Sequence, residues 1–301
     1  MDIDPEINCR RQDIRTNDHP YSGGERSSVT DTIEPISDTP KRKFQLSRSM
    51  TLSTISVCVM FGAWIFVTST GLANKLFLPP PADVWAAFIK AAVKGYQGST
   101  LFEHVTVSVA RILAGFLLAC IVGIPLGILM GVSKDARALL NPFIEFYRPL
   151  PPLGLYTLLV MWLGIGEESK LALLFLAGLP GIIISTIQAV ESLDPIYERA
   201  ALALGASKRD LLLHVYLPGA GPTILAGMRI SLGFVYTVLV AAEIVAATAG
   251  IGWMIWDAAK FLLSDVVIMG LIVLGLTGIA LDMVLRAIGT ALMPWIKRRQ
   301  R

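Results

Sequence analysis

The chain has 301 residues, of which 54% are apolar and 16% are charged, and its mean hydropathy is +0.62. Soluble domains carry charge on about a quarter of their residues, so this composition indicates a protein that spans a membrane. The net charge of +3 is too small to indicate a nucleic-acid surface, and the three cysteines provide no disulfide framework. No Gly-Lys pair occurs, so the chain lacks the phosphate-binding loop of an ATPase.

The chain begins with a strongly polar segment. Residues 1–40 contain nine acidic and four basic side chains and little apolar content. Such a segment cannot bury enough apolar surface to fold, so residues 1–45 are predicted to be a disordered cytoplasmic tail. The tail is too long and too acidic for the start of a signal peptide, so the first apolar stretch is expected to stay in the membrane. Residues 46–301 are then one transmembrane domain.

Six apolar stretches are long enough to cross a bilayer. They are residues 50–73, 105–132, 138–163, 171–190, 222–246 and 266–291. The second stretch contains Gly115, Gly123, Gly127 and Gly131, and small residues at such spacing let helices approach closely in lipid. The sequence therefore predicts an all-α, polytopic membrane protein with six transmembrane helices.

The third stretch is interrupted in its middle, where it reads F-I-E-F-Y-R-P-L-P-P-L-G. No straight helix accommodates three prolines so close together. Broken backbone at membrane depth must be covered by protein or line a water-filled cavity. We therefore expect Glu145, Arg148, Pro151 and Pro152 to line such a cavity, which in a transporter is the translocation pathway. The alternative is that Glu145 and Arg148 only form a local ion pair.

Other ionisable residues lie inside the apolar stretches and are candidates for functional roles. Glu243 has no partner within one helical turn, so it either pairs with an arginine of another helix or faces the pathway, where we place it. Arg111 and Arg229 lie near helix ends and are expected to extend to the membrane interface. Asp282 and Arg286 are four residues apart and are expected to pair with each other.

The distribution of Lys and Arg predicts the orientation. With the N-terminus inside, the inner loops and termini carry thirteen of these residues and the outer loops carry five. Such an excess favours the cytoplasm for both termini and for the polar loop 192–218.

Loop 192–218 is the longest polar interruption of the C-terminal half, and it is predicted to form two short helices. Asp194 is a suitable N-cap for the first, and Gly205 suits the left-handed position that ends it. Ser207, with Asp210 three residues later, can cap the second helix, and Pro218 is expected to end it. The apolar side of the second helix is predicted to consist of Leu211, Leu212, Val215 and Tyr216.

The same loop resembles the coupling loop of membrane subunits of bacterial ATP-binding-cassette (ABC) importers, which has the pattern E-A-A-x3-G-x9-I-x-L-P. The matching residues are Ala200, Ala201, Gly205, Val215, Leu217 and Pro218, with Val215 in place of Ile. Arg199 stands at the Glu position, and Glu198 precedes it. Further segments resemble the branch that serves taurine, alkanesulfonates, nitrate and bicarbonate, and they include F-L-P-P-P (77–81), F-Y-R-P-L-P-P-L (146–153), W-L-G-I-G-E-E-S-K (162–170), G-M-R-I-S-L-G (227–233) and V-A-A-E (240–243).

The resemblance implies a type I ABC importer permease fold in a bacterial inner membrane. It implies a pathway for a small oxyanion or sulfonate, with taurine favoured over aliphatic sulfonates, nitrate and bicarbonate. The permease would be a non-catalytic homodimer in lipid, without cofactor, metal or nucleic acid. Two cytoplasmic ATP-binding subunits would hydrolyse ATP, and a periplasmic or lipid-anchored binding protein would deliver the substrate.

The resemblance also implies which residues couple the permease to the ATP-binding subunits. They are Glu198, Ala200, Ala201, Gly205, Ala206, Ser207, Leu212, Val215, Leu217 and Pro218. The alternative from another functional class is a stand-alone channel or ion-driven carrier, which would favour internal repeats and buried carboxylate relays. A membrane enzyme is a third class, but the sequence contains no nucleophile–base or metal constellation that would indicate one.

Overall fold

The computed structural model describes residues 48–293. The chain divides into two units, Met1–Leu52 and Ser53–Arg301, and only residues 48–52 of the first unit are described. The predicted tail, residues 1–45, therefore lies outside the described residues. Within 48–293 the regular structure is helical, apart from one isolated bridge between Tyr96 and Ser99. The all-α prediction is confirmed for this part of the chain.

The described part contains eleven α-helices and one π-helical segment. They are α1 (Arg48–Ser69), α2 (Pro81–Val93), α3 (Leu101–Val132), α4 (Lys134–Tyr147), α5 (Pro152–Leu163), α6 (Glu167–Glu191), α7 (Pro195–Ala203), α8 (Lys208–Asp210), the π-helical segment (Leu211–Tyr216), α9 (Leu217–Ala246), α10 (Ile251–Lys260) and α11 (Ser264–Leu292). Five runs are long and apolar enough to cross a membrane, namely Thr51–Ser69, Leu101–Val132, Glu167–Glu191, Lys208–Val245 and Ser264–Leu292.

The third predicted span, residues 138–163, consists of two helices. α4 ends at Tyr147 and α5 begins at Pro152, so the break falls at the prolines, as the sequence predicts. α5 is apolar but has only 12 residues. A total of six spans therefore remains a prediction.

Helices α3, α6 and α9 form the centre of the described bundle, with α6 in the middle. The four glycines of α3 with regular spacing face α6. An added Cβ atom would lie only 2.5–2.9 Å from a side chain of α6 at Gly115, Gly123, Gly127 and Gly131. The axes of α3 and α6 can therefore approach this closely only because these positions lack a side chain.

Among the described residues there are four clusters of buried apolar side chains, and two of them, the bundle core and the α10 core, position the site. The bundle core belongs to α3, α5, α6 and α9 and contains Ile112, Tyr156, Leu174, Leu239 and Ala242. The α10 core belongs to α2, the start of α3, α10 and α11 and contains Val84, Leu101, Ile251, Met254 and Met269. Only α3 contributes buried residues to both of these cores, because Ile112 belongs to the bundle core and Leu101 to the α10 core. α9 contributes Ala242 to the bundle core, and the chain then turns into Ile251 of the α10 core.

Candidate coupling loop, helix break and buried charge network

The bend of the coupling loop has a defined backbone geometry. Gly205 has a φ angle of +83°, in the left-handed region predicted from the sequence. Its amide donates to the carbonyl of Leu202 at 2.9 Å, and the amide of Ala206 donates to the carbonyl of Ala201 at 3.0 Å. This pair of bonds is a Schellman motif, which satisfies the last carbonyl groups of α7. Ala201 and Gly205 of the coupling pattern, together with Ala206, thus shape the bend.

Side chains cap both short helices of the loop, as predicted. Asp194 accepts a hydrogen bond from the amide of Ile196 at 2.9 Å at the start of α7. The Ser207 hydroxyl accepts from the amide of Asp210 at 3.3 Å, and the Asp210 carboxylate accepts from the amide of Ser207 at 3.1 Å. These reciprocal bonds are a capping box, so the direction in which α8 leaves the bend is fixed.

The prediction that Pro218 ends the second helix is wrong. The helix that begins at Lys208 continues through the π-helical segment into α9. The amide of Leu217 donates to the carbonyl of Leu212, five residues earlier, which widens the turn. Pro218 follows this wide turn among the first residues of α9, where its missing amide hydrogen is tolerated. The coupling loop is therefore continuous with α9.

The apolar side chains of the loop form a buried set and an exposed set. Leu211 and Tyr216 are buried against the C-terminal ends of α3 and α6, Val215 is half-buried, and Leu212 is exposed. The predicted apolar side therefore contributes both to the packed interior and to the exposed surface of the loop. Leu204 precedes the bend and is 89% exposed. The exposed apolar set consists of Ile196, Tyr197, Leu202, Leu204, Leu212, Leu213 and Leu217.

Glu198 and Arg199 point to different surroundings. Glu198 is half-buried and lines a cavity of about 210 Å³ that Val215 and Tyr216 also line. Arg199, which stands at the Glu position of the coupling pattern, is exposed. The carboxylate of the pattern is thus replaced on the surface by a guanidinium.

The helix break presents a charged side chain. Arg148 follows α4, its amide donates to the carbonyl of Ile144 at 2.9 Å, and its side chain is exposed. Glu145 accepts a hydrogen bond from Asn141 at 2.6 Å. Among residues 48–293 Arg148 makes no ion pair, so the predicted alternative of a Glu145–Arg148 pair is not formed. Pro151 is exposed and Pro152 is half-buried at the start of α5.

Arg111 lies in a buried charge network that the sequence did not predict. Its guanidinium donates to Glu243 at 2.9 Å and to both carboxylate oxygens of Glu167, at 2.6 and 2.7 Å. Lys170 also donates to Glu167, at 2.9 Å. Arg111 is 6% exposed, so the expectation that it extends to the interface is wrong. Two carboxylates from other helices hold it inside the protein.

Glu243 is enclosed by donors and is fully buried. Besides Arg111, the Ser108 hydroxyl donates to it at 2.7 Å and the amide of Gly252 at 2.8 Å. Of the two possibilities that the sequence left open for Glu243, the structure shows pairing with an arginine of another helix.

A second charge group joins α9 to α11. The guanidinium of Arg229 donates to the two oxygens of Asp282 at 2.7 and 3.2 Å, and Arg286 donates to Asp282 at 2.9 Å. The predicted pairing of Asp282 with Arg286 is confirmed. Arg229 was expected to extend to the interface, but it is bound by the same carboxylate.

Comparison with known proteins identifies the family of the chain. Residues 123–298 match the family described as binding-protein-dependent transport system inner membrane component. The taurine transport system permease protein TauC of Escherichia coli (strain K12) is 42% identical over 256 residues, covering 85% of this chain and 93% of TauC. The putative aliphatic sulfonates transport permease protein SsuC of Bacillus subtilis (strain 168) is 31% identical, covering 79% of this chain and 84% of SsuC. The nitrate import permease protein NrtB of Synechococcus elongatus is 29% identical, covering 79% of this chain and 88% of NrtB.

Among solved structures, an inward-facing form of the MetNI methionine ABC transporter shares the fold. Its TM-score is 0.53 at 20% identity, and the match covers 62% of this chain and 95% of the matched chain. The family match spans more than half of the chain, and the similarity to TauC extends over most of both proteins. The chain therefore belongs to the family of binding-protein-dependent transport system inner membrane components, and it is a permease subunit of an ABC importer.

Proposed function

We propose that this permease carries a small sulfonate, with taurine as the first candidate and other small oxyanions as alternatives. The observation that carries the proposal is the 42% identity to a taurine permease over 85% of the chain. The aliphatic sulfonate and nitrate permeases are less similar, at 31% and 29% identity. All three named substrates are small oxyanions, so they have the same chemistry for a guanidinium to recognise.

Uptake in cells tests the substrate. The permease, expressed with its ATP-binding subunit and binding protein in cells that lack taurine import, should support ATP-dependent uptake of radiolabelled taurine. Excess unlabelled methanesulfonate should compete more strongly than nitrate or bicarbonate. Uptake of nitrate with no uptake of taurine would contradict the sulfonate assignment and favour the nitrate alternative.

The working complex is proposed to contain two copies of the permease, two ATP-binding subunits and a binding protein. The sequence carries no Gly-Lys pair and so lacks a phosphate-binding loop, which makes a separate ATPase necessary. The permease itself is then not an enzyme. A tagged permease purified in mild detergent should retain the ATP-binding subunit at a ratio of one to one.

The coupling loop is proposed as the docking site of the ATP-binding subunit. Its bend is fixed by the Schellman motif at Gly205 and by the capping box at Ser207, so the loop presents one shape. Its exposed apolar side chains, of which Leu204 is the most exposed, offer contact area on that shape. Such a preformed surface suits a groove on a partner, because little chain entropy is lost on binding.

The helix break at Arg148 is proposed to line the pathway. Placing a charged side chain at the centre of a membrane costs at least about 2.5–3.5 kcal/mol, so an exposed arginine there must face water or protein. Arg148 is exposed and makes no ion pair within residues 48–293. A guanidinium can donate two hydrogen bonds to two oxygens of one sulfonate group. Glu145, Pro151 and Pro152 would lie on the same pathway.

Substitutions at Arg148 test this role. Arg148→Ala should lower taurine uptake at least tenfold while the complex still assembles, and Arg148→Lys should recover only part of the loss because an ammonium lacks the two-pronged geometry. Because the Glu145–Arg148 pair is absent, Glu145→Gln should be milder than Arg148→Ala. Equal damage from both single variants, with uptake restored in the double neutral variant, would instead identify a structural ion pair.

A further inference from the structure

The turn between α9 and α10 is bound residue by residue to side chains of other helices. The carbonyl of Ala249 accepts from Arg111 at 2.7 Å, and the amide of Gly250 donates to the His104 ring at 3.1 Å. The next two amides are bound in the same way. That of Ile251 donates to Ser108 at 2.9 Å and that of Gly252 to Glu243 at 2.8 Å. Four consecutive residues thus place the start of α10 against α3 and the end of α9.

The two glycines of this turn make room for the carboxylate. Gly250 has a φ angle of +138°, and a Cβ atom there would lie 2.4 Å from Cδ of Glu243. A Cβ atom at Gly252 would lie 3.0 Å from Oε2 of Glu243 and 3.1 Å from Cα of Val240. The turn can therefore enclose the Glu243 carboxylate only because residue 250 is a glycine. The glycine at residue 252 lets the backbone of the turn approach the carboxylate closely.

The network is balanced in charge and closed to solvent at its centre. Its cations are Arg111 and Lys170, and its anions are Glu167 and Glu243. The side chain of Glu243 is 0% exposed and that of Arg111 is 7% exposed. Glu167 is 54% exposed and forms the edge of the network, but separating Arg111 from Glu243 would leave the fully buried Glu243 carboxylate without its counter-ion, which is strongly unfavourable. A network of this kind resists opening.

The position of the network gives it mechanical importance. Arg111 is followed by Ile112 of the bundle core, and the bound turn leads into Ile251 and Met254 of the α10 core. Hydrogen bonds weaken steeply once their distance and angle are lost, so the bonds between these cores oppose a displacement of α10 relative to α3 and α9. The far end of α10 is also held, because Tyr96 donates to Asp257 at 3.1 Å. Burial and the nearby carboxylate raise the pKa of Tyr96 to about 12, so this donor stays protonated near neutral pH.

We propose that this network is a permanent joint that makes α10 move together with α3, α6 and α9 throughout the transport cycle. Arg111 and Glu243 are then positioning residues for transport, which hold α10 in place against α3, α6 and α9 without touching the substrate. The rival is a gate that opens in every cycle. The proposal rests on the permease function given by the family and not on the choice of taurine as substrate.

Cross-linking separates a joint from a gate. Gln97 precedes α3 and Asp257 lies in α10, and their side-chain atoms are 3.4 Å apart, so a cross-link between them ties α10 to the start of α3. The double variant Gln97→Cys, Asp257→Cys is made in a chain without its own cysteines. A short bis-methanethiosulfonate reagent then cross-links the two new cysteines, and the same double variant without the reagent is the control. The assembled complex in proteoliposomes should keep ATP hydrolysis within twofold after cross-linking. A cross-link that stops ATP hydrolysis, reversed by a reducing agent, would overturn the joint and establish a gate.

Substitutions inside the network test the positioning role. Glu243→Gln removes the charge and Gly250→Ala displaces the carboxylate without removing it. Both variants should lower taurine uptake at least tenfold while ATP hydrolysis stays within twofold, so that less substrate is carried per ATP. The matched controls are Gly275→Ala, where the added Cβ meets no atom within 4 Å, and Glu191→Gln, in an exposed pair with Arg137.

The ratio of uptake to ATP hydrolysis distinguishes positioning from a general folding defect. A folding defect lowers both rates together, and that result in both variants would overturn the positioning role, as would native uptake in both. A native complex that hydrolyses ATP with its binding protein but imports no taurine would contradict the substrate proposal only. The cross-link experiment, read by ATP hydrolysis, would still decide between joint and gate.

Discussion

Replacing Gly205 by valine isolates the backbone geometry of the coupling loop from its contacts. Gly205 has a φ angle of +83°, and a Cβ atom added there would meet no atom within 4 Å. The substitution therefore causes no clash, and its cost is the strain of a left-handed L-residue, about 1–2 kcal/mol. The chain relieves that strain by giving up the Schellman bonds of Ala206 and Gly205, which straightens the bend.

The same free energy should appear as weaker docking if the ATP-binding subunit grips the bent loop. A loss of about 1–2 kcal/mol corresponds to an affinity roughly 5- to 30-fold lower. Permease in lipid nanodiscs can be titrated with the ATP-binding subunit by biolayer interferometry. Gly205→Asn should lie close to the native protein, because asparagine tolerates the left-handed conformation better than other L-residues.

A second glycine of the chain provides the control. Gly71 has a φ angle of +73° and equally open surroundings, but it follows α1 and lies far along the chain from the loop. Gly71→Val should carry a similar backbone strain and leave docking unchanged. Native affinity in Gly205→Val, or equal weakening in both valine variants, would refute the reasoning that the bend is the docking element.

Two further predictions concern the loop and the topology. Leu212→Asp places a charge in the exposed apolar set, since Leu212 is 38% exposed. The variant should insert into the membrane normally, but its ATPase docking and its taurine uptake should each fall at least tenfold. If the ATP-binding subunit is still pulled down at the native level, the α8 side of the loop is not part of the contact. In a cysteine-free chain, Ile165→Cys, at a position 79% exposed, should react with an impermeant maleimide from outside, and Ser207→Cys only after the cells are opened. The opposite labelling pattern would reverse the orientation and move the loop out of reach of a cytoplasmic ATPase.

Signals that act over a few residues predicted the local structure well. The caps at Asp194 and Ser207, the positive φ at Gly205 and the break after Arg148 each depend on chemistry within about one turn of the backbone. The glycine pattern of α3 also predicted a packing face, because the spacing itself brings small residues to one side of a helix.

Partners that are distant in sequence could not be predicted in this way. The two carboxylates that accept from Arg111 lie 56 and 132 residues further along the chain. A single sequence contains no signal for such pairs, so the arginine was placed at the interface on its position alone. The turn Gly250–Ile251–Gly252 offered a clue, because two glycines beside an unpartnered buried glutamate are compatible with amides closing around a carboxylate.

The wrong prediction for Pro218 changes how the loop connects to the membrane. A helix that ended there would leave a flexible link, but the observed helix runs without interruption from Lys208 to Ala246 through the π-helical segment. α9 alone has 30 residues and thus a length of about 45 Å, which is long enough to cross a bilayer. Its first turn touches the coupling loop, and Glu243 near its end belongs to the buried network. One continuous helix therefore connects the proposed docking site to the proposed joint.

This continuity predicts that transport depends on the helical conformation at Leu217, the first residue of α9. Leu217→Gly lowers the helix propensity at the junction by about 1 kcal/mol and, beside Pro218 and Gly219, should turn it into a hinge. We expect ATPase docking within threefold of native, because α7 and α8 are unchanged, and taurine uptake lower by at least fivefold. Leu217→Ala removes the same side-chain contacts but keeps the helix, so it should retain more uptake. Equal losses in the two variants would show that the Leu217 side chain, and not the stiffness of the junction, is what transport requires.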